Sequence, residues 1–151
     1  MPDFSTNAHH KQGQTFSEWV WYSSNAALSE GEGVCYDWDY NRSGGTAATA
    51  YPERYNRVET PTILNAPHFA GVAARDYSAV STGQLIEIYR PGSVCNVWSK
   101  ANCTIGVGRI TCEASGTPGN FTYEGFPGRG SARPLQTVDR STTAGKVLAY
   151  M

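Results

Sequence analysis

The sequence predicts an all-β protein, a small β-barrel or sandwich of short antiparallel strands with an extended N-terminal arm. Three observations carry that class. Short runs rich in aromatic and β-branched residues alternate with clusters of Gly, Pro, Asn and Ser, the pattern of strands joined by tight turns. No segment sustains a helical period. A small device also recurs, a hydroxyl residue two positions before a glycine with a strand directly after it: Ser81-Thr82-Gly83-Gln84-Leu85, Thr104-Ile105-Gly106-Val107-Gly108 and Thr143-Ala144-Gly145-Lys146-Val147. Turns of this kind punctuate barrels made of many short strands.

Residues 1–15 are polar and carry one aromatic, Phe4. That composition cannot bury enough apolar surface to fold alone, so it reads as a flexible arm that orders on a partner, for example by adding a strand to a sheet edge. Ordering it costs on the order of 15–30 kcal/mol of backbone entropy, more than ladder hydrogen bonds at about 1 kcal/mol each can offset. Phe4 and Phe16 would therefore have to serve as anchors. Residues 16–151 form a single β domain, with a long loop at 41–56.

Phe16-Ser17-Glu18-Trp19-Val20-Trp21-Tyr22 is the first strand, with Trp19 and Trp21 on one face and Glu18, Val20 and Tyr22 on the other. A connection over 25–33 leads to Val34-Cys35-Tyr36-Asp37-Trp38-Asp39-Tyr40. Alternation there sets Cys35, Asp37 and Asp39 against Tyr36, Trp38 and Tyr40. The acidic side has the residue types of a hard-cation or shared-proton site, although no Asp-rich loop completes one. The aromatic side suits stacking on sugar rings or packing in a core. The loop at 41–56 is small-residue-rich and aperiodic, the mark of a functional or mobile connection.

Asn65-Ala66-Pro67-His68-Phe69-Ala70-Gly71-Val72-Ala73 follows. Pro67 biases Ala66 toward extended geometry, so the apolar run reads as a strand entered from a rigid corner. Gly71 inside it marks a bulge, a bend or a close backbone approach. Leu85-Ile86-Glu87-Ile88-Tyr89 is the next strand. The Pro91-Gly92 turn leads to Val94-Cys95-Asn96-Val97-Trp98, and Arg109–Cys112 and Phe121–Tyr123 continue the pattern. Ser131–Val138 reads as one strand that Pro134 confines to an edge or bulge, Asp139–Gly145 as a turn, and Lys146–Met151 as the last strand.

Twelve Lys and Arg against thirteen Asp and Glu leave a net charge of −1, too little to draw the chain to phosphate or anionic lipid. Nucleic acid and membrane are therefore not expected partners. No window approaches the roughly 20 apolar residues that cross a bilayer, and the polar start lacks the apolar core of a signal peptide, so a protein made and kept in the cytosol, or released by lysis, is expected. Cys35, Cys95, Cys103 and Cys112 then read as reduced, buried thiols, since their spacing fits no common zinc pattern and no metal or other cofactor is expected. His68 is the only histidine outside the arm, where His9 and His10 lie. With Asp76 and Ser78 near it in sequence, or with any of the thiols, it is the one nucleus for nucleophilic catalysis. There is no Gly-x-Ser-x-Gly elbow, and the glycines at 125–130 lack the ending of a phosphate loop, so an enzyme is not the expectation.

The ordered series Phe69-Ala70-Gly71-Val72-Ala73, Ser81-Thr82-Gly83-Gln84, Pro91-Gly92-Ser93-Val94, Gly130-Ser131-Ala132-Arg133-Pro134-Leu135-Gln136-Thr137-Val138-Asp139 and Ala144-Gly145-Lys146-Val147-Leu148 resembles the capsid decoration, or cement, proteins of tailed bacteriophages. The resemblance covers about residues 57–151. It implies a non-enzymatic virion protein on the outer surface of an icosahedral head, often a homotrimer, that binds the major capsid protein and clamps neighbouring capsomers of the expanded shell. On that reading Phe4, Phe16, Trp19, Trp21, Tyr51 and Tyr55 are the expected capsid or subunit contacts. A carbohydrate-binding or adhesin-type module using Trp38 with Tyr36 and Tyr40 is the competing expectation.

Overall fold

The computed structural model describes residues 15–38, 56–101, 103–105, 110–122 and 130–151. Twelve strands run through them: β1 (Ser17–Tyr22), β2 (Gly33–Tyr36), β3 (Arg57–Glu59), β4 (Phe69–Ala73), β5 (Gln84–Tyr89), β6 (Val94–Ser99), β7 (Cys103–Ile105), β8 (Ile110–Cys112), β9 (Phe121–Thr122), β10 (Ser131–Pro134), β11 (Val138–Arg140) and β12 (Gly145–Tyr150). The expected all-β class holds. Its strands close two barrels, β1-β3-β2-β4-β5 and β10-β12-β6-β9-β8, while β7 and β11 form a two-stranded ribbon.

Period-two alternation builds both interiors. Val20 and Tyr22 on β1, Val34, Val58, Ile86 and Ile88 fill the first barrel, and Val97, Ile110, Phe121, Val147 and Ala149 fill the second. Each such Val, Ile or Phe contributes about 1.5–3 kcal/mol by leaving water. The Tyr22 hydroxyl, carried into the first interior, is satisfied by Thr60 Oγ1 at 2.7 Å.

The two barrels are copies of one design. Taken in chain order, the first strand of each pairs in parallel with the third and antiparallel with the fifth, the second pairs with the third and fourth, and the fourth pairs with the fifth. The registers coincide as well. Val20 faces Ile86 as Val97 faces Val147, Tyr22 meets Val58 as Ser99 meets Phe121, and Val72 faces Tyr89 as Arg133 faces Tyr150. Hydrogen bonds beyond the ladders repeat too: Arg90 N–H to Phe16 O at 2.8 Å and Met151 N–H to Ser93 O at 3.0 Å, or Asp37 N–H to Arg57 O and Glu113 N–H to Asn120 O at 3.0 and 2.8 Å. Even the β7–β11 ribbon has a counterpart, the antiparallel bridge Leu28–Tyr77. The second-to-third strand connection is what differs most, residues 37–56 in the first barrel against 113–120 in the second.

The barrels are fused through backbone and core. Trp98 N–H donates to Gly31 O at 2.8 Å, and Gly33 N–H to Gly119 O at 2.7 Å. Gly31 has φ +91° and lies so close to β6 that a Cβ would sit 2.8 Å from Trp98 N, so only glycine fits. Val72 on the outside of the first barrel belongs to the core cluster of the second, with Phe69 and Tyr89 packed beside it. Phe69 meets Phe121 edge-on at 6.2 Å between centroids and lies over Gly130. Glu30 reaches across to Lys146 Nζ and accepts from Asn96 Nδ2 at 3.0 Å.

Several expectations change at the strand ends. Ala66–His68 is a 3-10 turn with Pro67 near its start, so Ala66 does not continue an extended segment into β4. Asn65 holds that turn by accepting from Thr62 N–H at 2.6 Å and donating from Nδ2 to Glu59 at 2.5 Å. Ser131–Val138 is not one strand: β10 stops at Pro134, whose ring cannot donate to a further ladder, and Val138–Arg140 pairs instead with β7, within what reads as a turn in sequence. β2 ends at Tyr36, before the expected acidic and aromatic alternation is complete. Gly71 matches its expectation on two counts: the β2–β4 register shifts beside it, and a Cβ there would fall on the Tyr89 carbonyl.

Candidate docking surface

Three of the six expected contact residues lie within the described structure, all on or beside β1. Phe16 is 48% exposed, its N–H donating to Ser93 Oγ at 2.8 Å, which ties the base of β1 to the start of β6. Trp19 is 54% exposed. Its indole is not loose: the Arg75 guanidinium carbon stands 5.3 Å from its ring centroid and 5.8 Å from that of Tyr77, while Arg75 Nη2 pairs with Glu87 at 3.0 Å. Trp21 is half-buried, folded against Gly83, and sits opposite Leu85, itself 55% exposed. The outer face of β1 and β5 thus carries Trp19, Trp21 and Leu85 with one ion pair beside them. Phe4, Tyr51 and Tyr55 lie outside the described residues, as does the arm up to residue 14.

A second apolar surface was not singled out in the sequence. On β10, β12 and the start of β6, the side chains of Val94, Arg133, Leu135 and Tyr150 line a mainly apolar cleft of about 260 Å³. Leu135 is 50% exposed, Leu148 39% and Tyr150 47%. The signal was legible in the alternation of β12, where Val147 and Ala149 point in while Leu148 and Tyr150 point out.

Other candidate chemistry is absorbed into structure. Asp37 is buried and accepts from Ser23 Oγ at 3.0 Å, with Arg57 Nε at 4.0 Å. Its expected neighbour Asp39 lies outside the described residues. His68 stacks on Trp38, centroids 4.4 Å apart and planes 13° from parallel. Asp76 accepts from Glu30 N–H at 2.7 Å, and the Ser78 carbonyl accepts from Gln84. Among the described residues no group of three or more His, Cys, Asp or Glu side chains is placed to hold a metal ion, and no helix is long and apolar enough to cross a membrane.

Cys35, Cys95 and Cys112 are buried, as expected, while the Cys103 side chain lies outside the description. Burial pushes the Cys95 thiol up to about 12 and raises that of Cys112 further, so both stay protonated at neutral pH. Two neighbouring carboxyls are driven in opposite directions. The hydrogen bond from Lys146, supported by Asn96, lowers the pKa of Glu30, whereas burial raises that of Glu32 despite its bond from Ser29 N–H.

No protein-family model matches the chain, and no curated protein does. Among solved structures it is similar to the crystal structure of the head fiber gp8.5 N base in bacteriophage phi29, at 15% sequence identity and a TM-score of 0.47 over 91% of this chain and 95% of that one.

Proposed function

We propose that this chain is a structural protein of a tailed-phage head, carried on the outside of the capsid, where it decorates the shell and bridges neighbouring capsomers as a homotrimer. The observation that supports this best is the outer face of β1 and β5, where exposed Trp19 and Leu85 flank half-buried Trp21 on strands locked into two fused barrels. A stiff frame that presents aromatic side chains loses little conformational entropy on docking, which is what a purely adhesive protein requires. The resemblance in sequence supplies the partner, the major capsid protein.

Stabilisation by such a protein is mass action. A partner that binds the expanded lattice and not the unexpanded one adds its binding free energy to the expanded state. Several copies held together raise the effective concentration at each further contact, so each contact can be weak. Co-sedimentation with expanded capsids tests the reading. Trp19→Ala is expected to weaken binding by about 2 kcal/mol, roughly 30-fold, the scale of an aromatic hot spot. Loss of residues 2–15 is expected to weaken it further. Wild-type protein that stays in the supernatant with expanded capsids would reject the proposal.

A further inference from the structure

The uncovered face of the second barrel has a covered counterpart in the first. In the first barrel, the outer side of β4 and β5 carries Phe69, Val72 and Tyr89, and the second barrel covers it. The registers map those positions onto Ser131, Arg133 and Tyr150 of β10 and β12, and map Ala74 onto Leu135. That mapped face is the exposed, apolar-lined cleft of about 260 Å³. One design therefore shows its contact surface twice, once filled by a following barrel and once open.

We infer that the open face, Val94, Arg133, Leu135 and Tyr150, binds the first barrel of a second copy of this chain, head to tail, repeating between molecules the contact made within one. The side that the second barrel offers to the first contains Gly130, on which Phe69 lies. Its equivalent on a first barrel is His68, stacked under Trp38, which is 41% exposed. The sizes invert together. Within the chain a large Phe69 meets a bare glycine; between copies a small Ser131 meets the His68–Trp38 stack. A heterologous contact of this kind closes into a ring or propagates as an open series. The inference stands on the repeat; the registers put Trp19 and Leu85 where Asn96 and Lys146 meet Glu30 within the chain, so this contact shares the β1–β5 face with the capsid, and Tyr150, which lies off that face, tells the two readings apart.

Sedimentation velocity of the full chain over a micromolar series provides the test. The wild type is expected to assemble, and Tyr150→Asp or Leu135→Asp, both at exposed positions that should leave folding intact by circular dichroism, to weaken assembly at least about tenfold. Trp38→Ala on the opposite side is expected to do the same, and Ile63→Asp, exposed elsewhere, to change nothing. Wild-type protein that is monomeric throughout, assemblies indifferent to both the Tyr150 and Trp38 changes, or a monomer that assembles only after residues 2–14 are deleted would each overturn it.

Discussion

Gly130 and Phe69 show how much of this molecule hangs on single atoms. An added Cβ at Gly130 would collide with the Phe69 ring, and one at Gly33 would lie 2.5 Å from Cys112 Sγ, so both points on the seam between the barrels demand glycine for room rather than for conformation. Gly130→Ala is expected to destabilise the fold by about 1–3 kcal/mol, the usual cost of overpacking. Phe69→Leu should restore part of that loss, so a urea-unfolding double-mutant cycle on the pair is expected to be clearly non-additive. The carboxyls at 30 and 32 give the protein a divided response to acid. Glu30 has a lowered pKa, so its contribution is complete above the ordinary carboxylate range and disappears as pH falls through the lowered value. Glu32, raised by burial, acts in the opposite sense, favouring the folded state as it takes up its proton. Removing charge at each should therefore reverse the sign: Glu30→Gln is expected to lower the melting temperature at pH 7 with little effect at strongly acidic pH, and Glu32→Gln to raise it at pH 7. Calorimetric scans across pH check both.

At the scale of elements, the strands are legible in sequence because each interior is built by alternation, which needs only local chemistry. β1, β5, β6 and β12 fall close to the limits set by their aromatic and β-branched runs. Misreadings arise where a tertiary partner decides. Val138–Arg140 is a strand because β7 lies beside it, and β10 ends at Pro134, which has no N–H to offer, with one further bond from Leu135 N–H to Leu148 O at 2.9 Å. Gly71 was readable as a site of close approach, but which atom approaches, the Tyr89 carbonyl, depends on how β4 meets β5. Gly71→Ala is expected to cost about 1–3 kcal/mol by pushing those two strands apart, and hydrogen exchange should locate the damage at the Val72–Tyr89 pairing.

At the scale of the whole molecule, two barrels share one seam. Val72 lies in the core cluster of the second barrel while its neighbours Ala70 and Ala73 lie in that of the first, so neither barrel can open its side of the seam without stripping the other. Unfolding is therefore expected as one cooperative transition, with urea curves from tryptophan fluorescence and far-ultraviolet circular dichroism superimposing. Two separated transitions would show the barrels to be independent. The repeat itself left only faint marks in the sequence, Val20-Trp21 against Val97-Trp98 and the closing Tyr89 against Tyr150. Barrel topology constrains which positions point inward far more than which side chain sits there, so the two copies share registers while differing in most residues.

What the sequence determined by itself was the class, all-β with short strands and glycine turns, together with the shared outer face of Trp19 and Trp21 on β1, because alternation and turn chemistry are properties of neighbours along the chain. Only the tertiary structure decided that there are two barrels rather than one, that they are copies, and that the Tyr150 face is open where its twin is filled. Those facts reside in pairings between strands far apart in the chain, and a strand carries no local record of which partner completes its ladder.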